Sequence, residues 1–320
     1  MARGLYRPVS WGIIRAVRSH FPHRASLVGG AAIVSLLSLA GCLRPPAIPT
    51  TEMPPADVTP SPKALPPSPE ATPSPKPACA EAGTWQTFIY QGVAVAGEVP
   101  TLIYLPPCYT AESGSYPVAY FLHGKPFTEE QWLDLGLADL VDEAAASGSL
   151  TPMILVLARQ PEPLFSNSDG GQGSYETEFL EGLLKAVDQS YRTVAGPEGR
   201  AVVGLSRGGV WALEIGMRNP GQIGAVAALS PALAVNYPRQ AYDPMRLAET
   251  GDPLPPRFLL AAGETDWARG GTEALAAGLS GRGVATQLIL VPGNHSDPTW
   301  QALLPSVIAF LAGAFVPVLP

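Results

Sequence analysis

One short segment, in which an apolar run passes through a serine flanked by glycines into a helical pattern, constrains the fold most. Residues Ala201–Leu205 have the length and apolar character of a buried strand, and Gly208–Arg218 have helical periodicity. Ser206 lies between them, with Gly204 two residues before it and Gly208 two residues after it. Such a turn strains the serine backbone, and glycines let the flanking chain pass close enough to expose the hydroxyl group. The segment therefore predicts Ser206 as a nucleophile at the end of a strand.

The same alternation of strands and helices extends over the chain from Thr84 onwards. Apolar runs of strand length lie at Val118–Leu122, Met153–Leu157, Ala201–Leu205, Ala225–Leu229, Phe258–Ala262 and Gln287–Val291, after β-rich stretches at Thr84–Val95 and Thr101–Leu105. Helical patterns lie at Glu129–Ala146, Tyr175–Tyr191, Gly208–Arg218, Gly271–Leu279 and Pro298–Leu311. Buried strands that alternate with amphipathic helices predict an α/β fold, with a mostly parallel central sheet and helices on both faces.

The N-terminal 41 residues have the parts of a bacterial secretory signal. Arginines precede the apolar run Leu27–Ala40, which is shorter than the roughly 20 residues of a membrane-spanning helix. The run ends in Leu-Ala-Gly before Cys42. This resembles the lipobox of bacterial lipoproteins, in which the cysteine is diacylated and becomes the new N-terminus; an ordinary cleavage site beside a chance cysteine is the alternative. We expect residues 1–41 to be removed and Cys42 to anchor an extracytoplasmic protein to a membrane of the cell envelope.

A proline-rich linker follows the predicted anchor. Residues 42–78 consist mostly of Pro, Ala, Ser and Thr with repeated Ser-Pro pairs, a composition that cannot bury a core and favours extended polyproline II. At about 3.1 Å per residue, such a spacer reaches up to ~100 Å from a membrane. A proline-rich docking ligand is the alternative. Residues 79–320 are long enough for one domain with a sizeable core.

Composition argues against several classes of function. The net charge is −7 and the basic residues are scattered, so nucleic-acid binding is not expected. No group of His and Cys has metal-ligand spacing, and neither a metal nor another cofactor is expected. With Cys42 committed to lipid, Cys79 and Cys108 are left as an even pair. In an oxidising compartment they can form a disulfide, and two unpaired thiols are the alternative.

The scarcity of histidine limits the choice of a general base for the serine. Of four histidines, His20 and His23 lie in the segment that we expect to be removed. His123 precedes Ser206, whereas His295 follows the last predicted strand and comes after the serine. In this type of fold the catalytic residues follow one another in the order serine, acid, histidine. The order predicts His295 as the base and leaves His123 to support a loop near the serine.

The acid must then lie between the serine and His295. Glu264 and Asp266 directly follow the predicted strand at 258–262, and open α/β sheets place their sites at the carboxyl ends of strands. We choose Asp266, because a shorter side chain loses less rotamer freedom when it is held. Glu264 is the runner-up, and Asp252 is the next carboxylate to consider.

Backbone amides are expected to bind the oxyanion. The amide of Arg207, the residue after the serine, is the first candidate. The second donor should come from a loop after an earlier strand, and the Gly124–Lys125 region after the strand at 118–122 is the candidate.

By these motifs the chain resembles the esterase family that includes esterase D, the enterochelin esterases and feruloyl esterase modules. The matching stretches are Tyr104–Tyr109, Tyr116–Gly124, Val187–Thr193, Gly204–Gly209, Leu229–Pro231, Gly263–Asp266 and Pro292–His295. The resemblance covers nearly all of the predicted domain. It implies an α/β-hydrolase fold and a triad of Ser206, Asp266 and His295.

Two positions depart from the resembled pattern. Cys108 stands where the family often has glycine, and Lys125-Pro126-Phe127 replaces a glycine-rich loop after His123-Gly124. The second departure affects the expected oxyanion loop and acyl pocket.

These observations predict a serine esterase that acts on a small-molecule or carbohydrate-linked ester through an acyl-enzyme. One rival is an acyltransferase of the same fold, similar to the mycolyltransferases, and another is a non-catalytic surface protein that binds a carbohydrate or a siderophore. The intact set of serine, acid and histidine argues against the second. We expect the loop 159–173 and the insertion 236–256 to determine which ester is accepted, but the sequence of neither segment indicates a particular substrate.

Overall fold

The computed structural model describes residues 82–110 and 114–315. The predicted signal (1–41) and linker (42–78), with Cys42, lie outside the described residues, as does Cys79. Within the part that is described, no helix combines the length and apolarity needed to cross a lipid bilayer.

The centre of the fold is one sheet of eight strands. The strands are β1 (Thr84–Gln91), β2 (Glu98–Leu105), β3 (Val118–Leu122), β4 (Ile154–Ala158), β5 (Arg200–Leu205), β6 (Ala225–Leu229), β7 (Arg257–Gly263) and β8 (Ala285–Val291). Their order in the sheet is β1-β2-β4-β3-β5-β6-β7-β8. The strands β1 and β2 form an antiparallel hairpin and β2 is antiparallel to β4, whereas all other neighbours are parallel. The mostly parallel sheet confirms the predicted fold class.

Helices cover both faces of this sheet. They are α1 (Gln131–Asp134), α2 (Leu137–Ala146), α3 (Tyr175–Thr177), α4 (Lys185–Ser190), α5 (Arg207–Arg218), α6 (Pro244–Leu247), α7 (Arg269–Gly281) and α8 (Asp297–Ala314), with a π-helical segment, Glu178–Leu184, between α3 and α4. The segment from α3 to α4, α5 and α7 pack on one face, and α1, α2 and α8 on the other. Successive strand residues alternate between the two cores: Val202 faces the first and Val203 the second. The central strands β3 to β7 are therefore buried on both faces, which explains their continuous apolar runs, whereas the edge strands β1 and β8 are partly exposed.

Two predicted elements are broken in the structure. The helix expected at 129–146 is interrupted at Gly136, whose φ of 89° is left-handed and ends α1 before α2 begins. The first β-rich stretch ends at Gln91 instead of Val95, because the loop that follows donates backbone amides to a buried carboxylate. The Glu178 side chain accepts the amides of residues 93, 94 and 95 at 2.9, 2.6 and 3.2 Å. These three bonds attach the β1–β2 loop to the π-helical segment.

Cys108 lies in the turn after β2 and is disulfide-bonded. Its φ of 57° is left-handed, a conformation that glycine adopts without strain. This accounts for the glycine that the resembled family often has here. Because Cys79 lies outside the described residues, its pairing with Cys108 stays a prediction.

Candidate active site

A tight turn at Ser206 connects β5 to α5. Ser206 adopts φ 51° and ψ −111°, a strained conformation for a residue with a Cβ. A Cβ on Gly204 would overlap the backbone of Gly208, and one on Gly208 would overlap the carbonyl of Leu122. The two glycines are therefore required by close backbone approach, as the sequence pattern predicts.

The backbone of Ser206 is fixed from both sides. Its amide donates to the carbonyl of Leu229, the last residue of β6, at 2.8 Å. Its carbonyl accepts the amides of Val210, in the first turn of α5, and of Ala232 at 3.2 and 3.0 Å. Three hydrogen bonds thus hold the strained turn, and the hydroxyl group is left to point away from the backbone.

In the structure, hydrogen bonds connect Ser206 to His295 and His295 to Asp266, and together they form a hydrogen-bonded line. His295 follows β8 and Asp266 follows β7, so all three lie at the carboxyl end of the sheet. His295 Nε2 lies 2.9 Å from Ser206 Oγ, and His295 Nδ1 lies 2.9 and 3.1 Å from the two carboxylate oxygens of Asp266. A carboxylate only accepts, so the proton of neutral imidazole is on Nδ1. Nε2 is therefore free to accept the proton of the Ser206 hydroxyl.

Asp266 is buried but is held as a carboxylate. Burial alone would raise its pKa. Hydrogen bonds from His295, Ser230 and the Ala268 amide outweigh this effect, so that the pKa of Asp266 lies below its ordinary value. The Ala268 amide donates to Oδ1 at 2.8 Å. Asp266 is consequently ionised at neutral pH and can stabilise a positive charge on the imidazole.

The two other carboxylates considered from sequence lie elsewhere. The side chain of Glu264 is exposed, and this residue takes part through its backbone, whose carbonyl accepts from Arg269 Nη1 at 3.0 Å. Asp252 is exposed too, and its carbonyl accepts from Arg282. The hydrogen bonds of His295 therefore favour Asp266 over both.

Three further residues surround the imidazole and are not identified from sequence. The Trp267 ring lies 4.4 Å from the His295 ring at 32°, and Trp300 meets it edge-on at 5.0 Å and 87°. Trp300 Nε1 donates to Ser230 Oγ at 3.1 Å, and Ser230 has a left-handed φ of 46°. Ser230 lies in the stretch Leu229–Pro231 that resembles the family, and Trp267 and Trp300 lie within five positions of Asp266 or His295, but no motif assigns these residues a role.

His123 is a buried support of a neighbouring loop, as expected. Its Nδ1 lies 3.0 Å from the Gly124 carbonyl, and its Nε2 accepts the amide of Gln160 at 3.2 Å, which places the proton on Nδ1. The pKa of His123 is lowered to about 4, mainly by burial; the hydrogen bond to the Gly124 carbonyl opposes this effect and the nearby Arg159 charge adds to it. His123 is therefore neutral at neutral pH, and both ring nitrogens are occupied.

The expected oxyanion donors need one correction. Arg207 is the first residue of α5, where backbone N–H groups have no acceptor within the helix, so its amide is available. Gly124 lies directly against Ser206, but its amide donates to Gln131 Oε1 at 2.7 Å. The expectation for Gly124 is therefore wrong in this arrangement, because its N–H already has a buried acceptor. The Lys125 amide stays the candidate for the second donor.

A family model described as "Putative esterase" matches residues 93–314, well over half of the chain. Among curated proteins, an endo-1,4-β-xylanase/feruloyl esterase from Xylanibacter ruminicola is 31% identical over 136 residues, 40% of this chain and 19% of that protein. The S-formylglutathione hydrolase of Bos taurus is 26% identical over 170 residues, 47% of this chain and 57% of that protein. The matched part of this chain thus covers about a fifth of the length of the first relative and just over half of the length of the second.

Solved structures share the fold over most of the chain. A ferulic acid esterase superposes with a TM-score of 0.65 at 22% identity, covering 74% of this chain and 100% of that one. An S-formylglutathione hydrolase from Staphylococcus aureus has a TM-score of 0.61 at 15% identity, covering 72% of this chain and 99% of that one. At these identities the likeness concerns the fold, which is that of the α/β-hydrolases.

Proposed function

The chain belongs to the putative esterase family, and from this membership and the site geometry we propose that it is a serine carboxylic-ester hydrolase. The observation that carries the proposal is the continuous hydrogen-bonded line from Ser206 Oγ through His295 to Asp266. A nucleophile, its base and an orienting carboxylate at hydrogen-bond distance are the parts that acyl transfer through serine needs.

In the first half of the proposed reaction, Ser206 Oγ attacks the carbonyl carbon of the ester. His295 Nε2 takes the hydroxyl proton, and Asp266 stabilises the imidazolium that forms. The negative charge that develops on the carbonyl oxygen is bound by the Arg207 amide, with Lys125 as the second donor. One such donor is typically worth about 10²–10³ in turnover. The imidazolium then gives its proton to the leaving alcohol, and an acyl-serine remains.

In the second half, water replaces the alcohol. His295 takes a proton from the water as it attacks the acyl carbon, and returns the proton to Ser206 Oγ when the acid leaves. The same groups thus act in reverse order, and no cofactor is required for either half.

We propose that the substrate is an ester with an aromatic acyl group. Esters of this kind should therefore be the first that are tested for hydrolysis. Two kinds of support exist: feruloyl esterases are among the relatives, and Trp267, with 48% of its surface exposed, lies on the His295 ring beside the nucleophile. An exposed indole offers a flat apolar surface to an aromatic ring.

The location of the enzyme is proposed from the N-terminal sequence alone. Cleavage before Cys42 and acylation of its thiol would place the domain outside the cytoplasm, on a membrane of the cell envelope, at the end of the linker 42–78.

The proposed function is tested by covalent labelling. Incubation with a fluorophosphonate should add one phosphonyl group per chain, and peptide mass spectrometry should locate it on Ser206. A panel of acetyl, longer acyl and feruloyl esters, with and without an added acceptor alcohol, then separates hydrolysis from acyl transfer. A chain that takes up no label and cleaves no ester would refute the proposal.

A further inference from the structure

The side chain of Arg207 makes contacts that the reaction itself does not use. Its Nε donates to the carbonyl of Phe165 at 3.0 Å, and its Nη1 donates to Asn236 Oδ1. The guanidinium carbon lies 5.6 Å from the centre of the Trp211 ring. One guanidinium therefore binds two segments that are far apart in sequence, and it belongs to the residue that directly follows the nucleophile.

The two segments are the loops that flank the nucleophile. The β4 loop (159–173) follows β4, and the β6 loop (230–243) follows β6, both at the carboxyl end of the sheet. The β4 loop is attached to the loop after β3, which contains His123, Gly124 and Lys125, because Gln160 Nε2 donates to the His123 carbonyl at 2.7 Å. The β6 loop is attached to the nucleophile turn through the Ala232 amide. Both loops therefore border the space above Ser206.

Hydrophobic burial does not fix the middle of the β6 loop. Asn236 is buried, but its neighbours Val235 and Tyr237 are 62% and 84% exposed. Two apolar side chains in water do not order a loop. The buried amide of Asn236 and its bond from Arg207 are therefore the main constraint at this point.

A second connection between the loops lies at the surface. Arg239 donates to Asp169 through its amide and its Nε, both at 2.7 Å. The Arg239 side chain is 71% exposed, and ion pairs that are exposed to water contribute little to stability. The inner bridge through Arg207 is shielded from water and is expected to be the stronger constraint.

We propose that the Arg207 side chain is a positioning residue that ties the β4 and β6 loops to the nucleophile turn and so determines how large an ester the cleft accepts. The inference rests on the proposed function, because it assumes that the ester binds above Ser206. The planar guanidinium is suited to this role, since its donors point in fixed and different directions, whereas a lysine has a single ammonium group. Hydrogen bonding to two neutral acceptors, not charge, is the basis of the bridge.

The test compares three variants with a matched control. Arg207→Met removes both bonds, Arg207→Lys keeps the charge but not the fork, and Asn236→Leu removes the bond to the β6 loop alone. Arg257→Met is the control, because Arg257 is an exposed arginine at the start of β7, at the opposite end of this strand from Asp266, and it donates to the Gly313 carbonyl. For each protein, kcat and KM are measured for 4-nitrophenyl acetate and for the largest ester that the wild type hydrolyses, and amide hydrogen exchange is followed in both loops.

In both Arg207 variants, the ratio of kcat/KM for the large ester to kcat/KM for the small ester should change at least fivefold. The change should come mainly from KM of the large ester. In Asn236→Leu the same ratio should change in the same direction. Exchange in both loops should rise in the Arg207 variants, and Arg257→Met should match the wild type. A ratio within fivefold of wild type in Arg207→Met, full function in Arg207→Lys, an unaffected Asn236→Leu, or unchanged loop exchange would each overturn the proposal.

Failure of the proposed function has a different signature. In that case the wild type would show neither hydrolysis nor phosphonylation of Ser206, while loop exchange would still report on the bridge. If Arg207→Met does not fold, Asn236→Leu provides the same comparison with the nucleophile turn intact.

Discussion

Asp266 accepts the Nδ1–H of His295 with both of its carboxylate oxygens, at 2.9 and 3.1 Å. Two acceptors at nearly equal distance hold the ring in the one orientation that directs Nε2 towards Ser206 Oγ. The carboxylate is held in turn by the Ala268 amide. The relationship therefore fixes both the tautomer and the direction of the base.

Replacing Asp266 by asparagine should keep the shape of the site but lower turnover by about 10⁴-fold, because an amide group can favour the wrong tautomer of His295. Glu264→Gln, at an exposed position two residues away, is the matched control and should have little effect. Hydrolysis of a 4-nitrophenyl ester measures both. The reverse order of the two losses would make Glu264 the acid.

Ser206→Ala should abolish hydrolysis, with a loss on the order of 10⁴-fold or more, because no other group at the site can form the acyl-enzyme. Circular dichroism and thermal unfolding should match the wild type, since alanine keeps the backbone of the strained turn. If more than a tenth of the activity remained, Ser206 would not be the nucleophile.

Glu214 gives a prediction about stability and pH. Burial, and next the charge of Glu176, raise the pKa of Glu214 from 4.5 to about 9 in the folded protein. Between these two values the folded chain keeps a proton that the unfolded chain has lost, so this residue lowers stability progressively as the pH rises. Glu214→Gln removes the effect, and its advantage in free energy of unfolding should grow from pH 5 to pH 8, by at most about 1.4 kcal/mol per pH unit.

Denaturant unfolding at several pH values measures this slope for wild type and variant. Glu143→Gln, which replaces an exposed carboxylate on α2, is the control against which the slope of Glu214→Gln is compared. A stability difference between Glu214→Gln and wild type that is independent of pH would mean that Glu214 is ionised in the folded protein.

The predicted anchor is tested at Cys42. The mature protein should begin at this residue, carry the added mass of acyl chains and partition into detergent, whereas Cys42→Ser should be released or remain unprocessed. Intact mass and membrane fractionation distinguish these results. A soluble, unmodified product that begins elsewhere would exclude the lipoprotein interpretation.

The elements that are predictable from sequence are those dictated by local chemistry. The buried parallel strands appear as continuous apolar runs because both faces are covered, and Gly204 and Gly208 mark the nucleophile turn because no larger residue fits. Chain order and the small number of histidines then suffice to place His295 next to Ser206.

The features missed from sequence depend on contacts between distant segments. The Gly124 amide is occupied by the side chain of Gln131, a residue seven positions further along that lies in α1. Ser230 and Trp300 meet through a hydrogen bond that spans 70 positions. No periodicity or spacing within one segment carries this information.

The residues of the hydrogen-bonded line come from the ends of β5, β7 and β8, and β6 lies between the first two in the sheet. The line therefore exists only after β7 and β8, near the end of the chain, have been added to the sheet. Catalysis in this chain is then a late event of folding. In a refolding experiment, secondary structure should recover first, and ester cleavage should return only with the fully assembled sheet.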